Sequence, residues 1–354
     1  MATANNPASP NAAMAQLINH SLHQPAEFRS AFGGLWTDRS DAKEKLEQLR
    51  PSLDETAYSQ LAFWLEHGYV IIESAVDPSL CGALAEELRD LYHNGSDVHI
   101  VQDPYEGGSG RNLVRPGTAA DKMRIVDMYV HSRLAEATLL TAPITDFLRL
   151  IFAEDPLLFQ GLTFEKGSQQ GLHQDTAYVV VDRPMELAAA WIALEDVRPG
   201  SGELMYLDGS HRMPEWAFGG SSKHFDSAIH SQEEHSAWCR HLIERGEELG
   251  MSQQVFLPKQ GDALIWSADL VHGGSPQEDP SLSRRSIVGH YCPASANPHY
   301  FSFTPEACKV ARHGAFIASA YFPLDQGDSP AIQPRSLRRR LMGRAQGLLS
   351  RFVS

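Results

Sequence analysis

The 354-residue sequence holds only four cysteines, Cys81, Cys239, Cys292 and Cys308, and they stand far apart. They form no CxxC pair or zinc-like cluster, which argues against a disulfide framework and a structural zinc site and suits a reducing compartment. No run of about 18 apolar residues exists to span a bilayer. The start, Met1-Ala2-Thr3-Ala4-Asn5-Asn6-Pro7, lacks the positive charge and apolar core of a secretory signal, so a soluble, cytoplasmic protein is expected. Positive charge is scarce: 30 Lys and Arg face 44 Asp and Glu, for a formal net charge of −14. That balance argues against nucleic-acid binding by the body of the protein. Ser210 has no G-x-S-x-G elbow around it, so nothing marks it as a nucleophile, and His211 beside it is expected to brace its turn. Gly107-Gly108-Ser109-Gly110 lacks the Lys-Ser/Thr ending of a phosphate loop. No internal repeat is evident.

What is present describes an ordinary globular chain, with 42% hydrophobic and 21% charged residues. Residues 1–50 read as a tail and extension, with a short helix expected over 14–22. A single domain is expected over 51–325. Asp54-Glu55-Thr56 caps a helix that runs to His67-Gly68, Tyr69 to Ile72 reads as a strand, and Asp77-Pro78-Ser79 opens an amphipathic helix with Leu80, Leu84, Leu88 and Leu91 on one face. Residues 95–120, rich in Gly and Pro, read as a long loop. A strand is expected over 123–130 and a helix over 134–152. Short strands follow at 157–165, 173–181, 187–193, 204–207, 263–266 and 286–292. That pattern indicates a mainly β protein with flanking helices, of the sandwich or jelly-roll class. A polar, His- and Glu-rich insertion at 213–255, with a helix around 236–249, separates two of these strands. It reads either as a lid over one mouth of the barrel or as a surface excursion.

The carboxy-terminal residues 326–354 differ from everything before them. Arg335, Arg338, Arg339, Arg340, Arg344 and Arg351 occur there, and no acid accompanies them after residue 335. Leu337, Leu341, Leu348 and Phe352 share one face of a helix. Such a basic amphipathic helix can fold onto the chain's own acidic body or make peripheral contact with an anionic membrane surface.

The chemistry centres on Gly171-Leu172-His173-Gln174-Asp175-Thr176, with a distant partner in Asp269-Leu270-Val271-His272-Gly273-Gly274. In an extended segment His173 and Asp175 project to the same side. One more imidazole, from His272, completes a two-His-one-carboxylate face of the kind that holds Fe(II) and leaves positions open. A lone HxD pattern is weak; its ordered context is stronger. Gly209-Ser210-His211-Arg212 follows it, then Lys259-Gln260-Gly261-Asp262-Ala263-Leu264-Ile265-Trp266, then His272 and the pair Arg284-Arg285.

This order resembles the phytanoyl-CoA dioxygenase family of Fe(II)/2-oxoglutarate-dependent oxygenases, over about residues 57–293. The resemblance includes Leu65-Glu66-His67-Gly68-Tyr69-Val70, Trp191-Ile192-Ala193-Leu194-Glu195-Asp196, Gly200-Ser201-Gly202-Glu203-Leu204 and the closing Arg284-Arg285-Ser286-Ile287-Val288-Gly289-His290-Tyr291. It implies a double-stranded β-helix (jelly-roll, cupin-like) core. It also implies Fe(II) held by His173, Asp175 and His272, with 2-oxoglutarate and O₂ as cosubstrates. The expected reaction is hydroxylation of an unactivated C–H bond of a small metabolite, with succinate and CO₂ as coproducts. In related halogenating enzymes a small residue replaces the carboxylate, and Asp175 therefore favours hydroxylation, with desaturation or ring formation as other fates of the same substrate radical.

The far carboxylate of 2-oxoglutarate needs a cation, and a guanidinium offers two parallel hydrogen bonds. Strand alternation lets only one of Arg284 and Arg285 face the barrel. Arg284 is the expected anchor, because Ser286 then shares its face, and Arg285 is left as an exposed strand charge. Trp191 is expected to line the cosubstrate pocket or the core, and Arg124 to offer a second basic contact. Gln160 and Thr163 are further cavity candidates, whereas His290 reads as a packed core histidine. Two rivals stand beside this reading: a 2-oxoglutarate-independent metal enzyme, and a non-catalytic binding protein on the same barrel. A lipid-linked or carrier-bound substrate is the alternative to a free metabolite, and the oligomeric state is open.

Overall fold

In the computed structural model, residues 18, 27–103, 111–121, 123–304 and 306–324 are described. The expected tail helices at 14–22 and 326–354 and the Gly107–Gly110 run lie outside the described residues, apart from Ile18 and the body below 325. Among the described residues the helices with full bounds are α1 (Ala42–Leu49), α2 (Glu55–His67), α3 (Pro78–Asn94), α4 (Arg133–Leu139), α5 (Ala142–Phe152) and α6 (Gln232–Glu248). The strands are β1 (Tyr69–Ile72), β2 (Ile100–Gln102), β3 (Arg111–Leu113), β4 (Arg124–Val126), β5 (Pro156–Phe164), β6 (Ala188–Ala193) and β7 (Leu204–Leu207). They continue as β8 (Gln253–Phe256), β9 (Ala263–Ser267), β10 (His272–Gly274), β11 (Ser286–Pro293), β12 (Val310–Arg312) and β13 (Ala315–Ile317).

The local signals explain the amino-terminal elements. Asp54 accepts a hydrogen bond from the Ala57 amide and starts α2; Gly68 ends it in the left-handed region at φ 78°. A Cβ at Gly68 would also lie 2.2 Å from His211 Nδ1, so two constraints select glycine there. Asp77 and Pro78 start α3 in the same manner. The helix expected over 134–152 is divided instead, because Pro143 in the first turn of α5 cannot continue a helix through Leu140 and Thr141. The strand expected over 123–130 shortens to β4 and passes into a 3-10 turn. Residues 95–120 are not wholly loop: β2 pairs with β3 and β4 there.

One sheet runs β1-β9-β6-β11-β5-β4-β2-β3, with β13 parallel to β5 and paired to β12; a second runs β10-β7-β8. β6 is buried at every residue because both its faces are covered. Ala188, Ala190 and Ile192 point to one core and Ala189, Trp191 and Ala193 to another. The first core takes Leu61 and Trp64 of α2, Leu84 and Leu88 of α3 and Phe147 of α5, together with Trp36 and Leu46 from the amino-terminal extension. Truncating fully buried Trp64 to Ala would cost about 3–5 kcal/mol. In the second core Leu204, Tyr206 and Phe256 of the small sheet meet Leu162, Leu264, Trp266 and Val288 of the large one. Two antiparallel sheets packed face to face, with helices on the outer side, make the jelly-roll expected of the sequence, and the open end between them holds the site.

Candidate metal centre

His173 does not lie in a strand. The stretch expected to be extended over 173–181 makes only isolated bridges at its two ends, His173 to His272 and Val181 to Pro298, and between them Asp175–Ala177 turns into a 3-10 helix. Projection by strand alternation is therefore not what brings His173 and Asp175 together. The backbone does it. His173 and His272 exchange both amide–carbonyl hydrogen bonds at 2.9 Å, and the Gly274 amide donates to the Gln170 carbonyl. This approach needs the two glycines of β10, since a Cβ on Gly273 would lie 2.8 Å from the Gln170 oxygen and one on Gly274 2.9 Å from the Gln169 nitrogen. The imidazoles sit 4.4 Å apart between ring centres.

Each imidazole is oriented by a main-chain oxygen. His173 Nδ1 is 2.8 Å from the Gly171 carbonyl and His272 Nδ1 is 2.9 Å from that of Leu270. A carbonyl accepts only, so both Nδ1 atoms carry the proton and both Nε2 atoms present lone pairs. Asp175 Oδ1 faces them, 4.0 Å from His173 Nε2 and 3.6 Å from His272 Nε2. One donor atom from each of the three residues falls within 4.8 Å of the others, all three side chains being buried. Burial pushes the His173 pKa down to about 3, which keeps its lone pair available at neutral pH. Burial alone would raise that of Asp175, but His272, His290 and His173 more than offset it and hold the carboxyl well below the usual range. Two neutral imidazoles and a carboxylate, with room beside them, suit a divalent first-row metal with open positions.

Two residues complete this face that sequence reasoning left without a role in it. Trp266 Nε1 donates to Asp175 Oδ2 at 2.8 Å and fixes the carboxylate plane. His290 places Nε2 3.5 Å from Asp175 Oδ1 and lines the cavity, so it is more than a packed core residue. The signal for His290 was present, because Arg284, Ser286, Val288 and His290 alternate onto one face of β11. Ser210 is a brace and not a nucleophile: its hydroxyl accepts from the Val271 amide at 2.8 Å, just before His272.

A cavity of 380 Å³ opens from these residues across the inner face of β6, β11, β5, β4 and β2. Arg284 lies in it, 2% exposed; the Glu203 carboxylate is near enough to favour its charge, but among the described residues no carboxylate lies within ion-pair distance of it. Its Cζ stands 5.4 Å from the Trp191 ring centre and 5.8 Å from that of Phe164. Burial brings its pKa down to about 10, which leaves it cationic at neutral pH. Arg284 Nε, Ser286 Oγ, Trp191 Nε1 and His290 Nδ1 are all buried without a hydrogen-bond partner. Orphaned polar atoms of this kind cost about 1–3 kcal/mol each, and a ligand in the cavity would supply partners for those that face it. Arg285 points the other way and is not the exposed charge expected. It is half-buried and binds Glu165 and Glu195 at 2.6 and 2.8 Å.

Arg124 also lines the cavity, its guanidinium held by Gln102 Oε1 at 3.0 and 3.2 Å. Gln160 faces in as expected. Thr163 does not, since Leu162 and Phe164 on either side of it line the cavity. Opposite the sheet, α6 contributes His235 and Cys239, and Tyr178 Oη lies 2.6 Å from His235 Nε2. α6 begins at Gln232, one turn before the expected start, because Ser231 caps it through the Glu234 amide.

The family model described as phytanoyl-CoA dioxygenase (PhyH) matches residues 64–286. The 1-deoxypentalenic acid 11-β-hydroxylase of Streptomyces exfoliatus is 26% identical over 278 residues, covering 71% of this chain and 87% of the relative. Among solved structures, the non-haem α-ketoglutarate-dependent epimerase SnoN of nogalamycin biosynthesis superposes with a TM-score of 0.51 at 19% identity, covering 74% of this chain and 98% of its own. SnoN has also been solved with Fe³⁺, α-ketoglutarate and a nogalamycin derivative bound. The carbocyclase SnoK superposes with a TM-score of 0.50 at 16% identity, covering 70% of this chain and 86% of its own.

Proposed function

This chain belongs to the phytanoyl-CoA dioxygenase family, and from that premise we propose that it hydroxylates an unactivated C–H bond of a small metabolite, with succinate and CO₂ as coproducts. His173, Asp175 and His272 hold Fe(II), and Arg284 with Ser286 binds the far carboxylate of 2-oxoglutarate. Trp191 closes the side of the cosubstrate pocket, where its indole N–H has an acceptor to find. Arg124 supplies a second basic contact on the same wall. Held by His173, Asp175 and His272, Fe(II) would supply the chemistry that couples 2-oxoglutarate and O₂. The chain's own part is to orient and to exclude water. The Nδ1 carbonyl bonds hold the Nε2 lone pairs inward, Trp266 fixes the carboxylate, and the insertion 213–255 covers the cavity through His235 and Cys239.

The observation that carries this reading is the buried guanidinium of Arg284, without a carboxylate partner, in the same cavity as the three-donor face. A metal enzyme that does not use 2-oxoglutarate has no need of a buried cation there. Anaerobic addition of Fe(II) and 2-oxoglutarate should give a visible charge-transfer band, and Arg284→Ala should remove the band while the metal still binds. A band that survives in that variant transfers the anchor elsewhere. Absence of both band and succinate in the wild type favours a binding protein. A cavity of 380 Å³ suits a small organic substrate, and the 11-β-hydroxylase relative is named for one. No helix among the described residues is long and apolar enough to cross a membrane. Deleting residues 335–354 tests the lipid-linked alternative: unchanged vesicle binding and turnover sink it.

A further inference from the structure

Lys223 and Asp269 form an ion pair at 2.5 Å, and their side chains are only 2% and 8% exposed. A buried pair of this kind is seldom more stabilising than an apolar pair of the same shape, since desolvation offsets the attraction. Its worth is therefore to be sought in what it positions. Asp269 binds three residues from two segments at once. Oδ2 takes Lys223 Nζ from the insertion, Oδ1 accepts from the Thr176 hydroxyl at 2.5 Å, and the main-chain oxygen accepts from the Gln174 side-chain amide at 2.8 Å. Gln174 and Thr176 flank Asp175, and Asp269 lies three residues before His272. Around the pair, the Phe225 amide donates to the Ala177 carbonyl at 3.0 Å. Phe218, Phe225 and Trp238 of the insertion share one apolar cluster with Ala177 and Val271. The insertion is thus seated on both ligand-bearing turns, with one cation at the centre of the joint.

We propose that the Lys223–Asp269 pair is a positioning device that couples docking of the 213–255 insertion to the geometry of the metal-binding face. The proposal rests on His173, Asp175 and His272 being the metal ligands. Coupling of this kind is reciprocal: a seated insertion raises metal affinity, and a bound metal holds the insertion down. Lys223 and Asp269 touch neither metal nor substrate, so their effect runs through Thr176, Gln174 and the 269–272 turn.

The test uses the full-length apoprotein and anaerobic titration with Co(II), read by its visible d–d spectrum. Lys223→Met keeps the length of the stem and removes the charge. Lys223→Met/Asp269→Asn removes both charges, leaves no buried ion uncompensated, and keeps the experiment decisive where the single variant fails to fold. Both should bind Co(II) roughly 10–100-fold more weakly, the usual consequence of losing an outer partner of a metal site, with an altered spectrum. Thr176→Val, which deletes one hydrogen bond and leaves the pair, should weaken binding by about fivefold. Co(II) should protect the insertion from trypsin in the wild type and not in the double variant. If the double variant binds Co(II) within about twofold of wild type with the same spectrum and the same protection, the coupling is overturned. If the wild type shows no Co(II) binding that His272→Ala abolishes, the ligand assignment has failed instead.

Discussion

The sheet and the insertion differ in how they treat the buried polar groups nearest the metal-binding face. On the sheet side, Arg284 Nε, Ser286 Oγ, Trp191 Nε1 and His290 Nδ1 have no partner. On the insertion side, Tyr178 is paired to His235 beside the cavity and Lys223 to Asp269 behind it, although Trp216 Nε1 and His241 Nε2 elsewhere in the insertion are without hydrogen-bond partners too. Leaving several donors dry on one wall destabilises the free protein unless a ligand completes them. Satisfying the opposite groups within the protein makes the insertion a fitted cover. One side is built to receive a ligand and the other to dock on protein, and variants should separate the two.

The largest effect is expected from the face itself. Asp175→Ala leaves two imidazoles without their carboxylate and should reduce Co(II) or Fe(II) affinity and succinate production by more than about 100-fold, beyond what loss of an outer partner costs. Next comes Arg284→Ala, which removes one partner of a buried charge pair, worth about 2–5 kcal/mol; the 2-oxoglutarate Kd should rise by roughly 30-fold or more with metal affinity unchanged. Arg284→Lys should recover only part of this, as a point charge cannot make the bidentate contact. The neighbouring Arg285→Ala sharpens the contrast. It breaks hydrogen bonds to Glu165 and Glu195, and urea titration should show about 2–3 kcal/mol of lost stability with an unaltered 2-oxoglutarate Kd. Equal effects of the two arginines on cosubstrate binding would erase the distinction drawn between them.

Adjacent residues with such different partners show what was legible in the chain and what was not. Alternation alone separated Arg284 and Ser286 from Arg285, because it is a local property of β11. The partners that hold Arg285 lie 120 and 90 residues away, at Glu165 and Glu195, and no local pattern names them. The same holds for Lys223 and Asp269, 46 residues apart. Short strands between Gly and Pro punctuation announced the jelly-roll, and the HxD pattern with His272 announced the face. The conformation of that pattern was misread as strand, because the turn after His173 depends on the bridge to β10, a three-residue strand with two glycines and almost no propensity of its own. β2 and β3 were hidden for a similar reason: β2 forms by registering against β4, and β3 against β2, within and beside a Gly- and Pro-rich stretch.

A smaller effect concerns the seam where the Ser210–Arg212 turn meets the end of α2. His211 is packed against Gly68, and burial, assisted by Arg212, lowers its pKa to about 3. The unfolded chain binds a proton near the ordinary value of 6.5 while the folded chain does not. This contribution to stability is therefore whole above that pH and is lost as pH falls from 6.5 toward 3. His99, lowered to about 4 by burial, acts in the same sense. Thermal melts of the apoprotein should be level between about pH 8 and 7 and fall below about 6.5, and His211→Gln should flatten the slope. A slope unchanged in that variant assigns the acid sensitivity to other groups.

The smallest expected effect is the most selective for the cover. The Tyr178 hydroxyl makes one hydrogen bond to His235 on α6, on the insertion side of the cavity, while its ring meets Trp238 edge-on at 5.7 Å. Tyr178→Phe deletes the hydrogen bond and keeps the ring contact. A net loss of about 1 kcal/mol corresponds to roughly fivefold faster amide exchange over residues 232–248, if α6 opens as a unit around this link. Exchange in β6 and β11 should not change, since their hydrogen bonds do not run through the insertion. Faster exchange on both sides would mean that wall and cover open together, and no change on either would mean that Lys223 and the apolar cluster hold α6 without help from Tyr178.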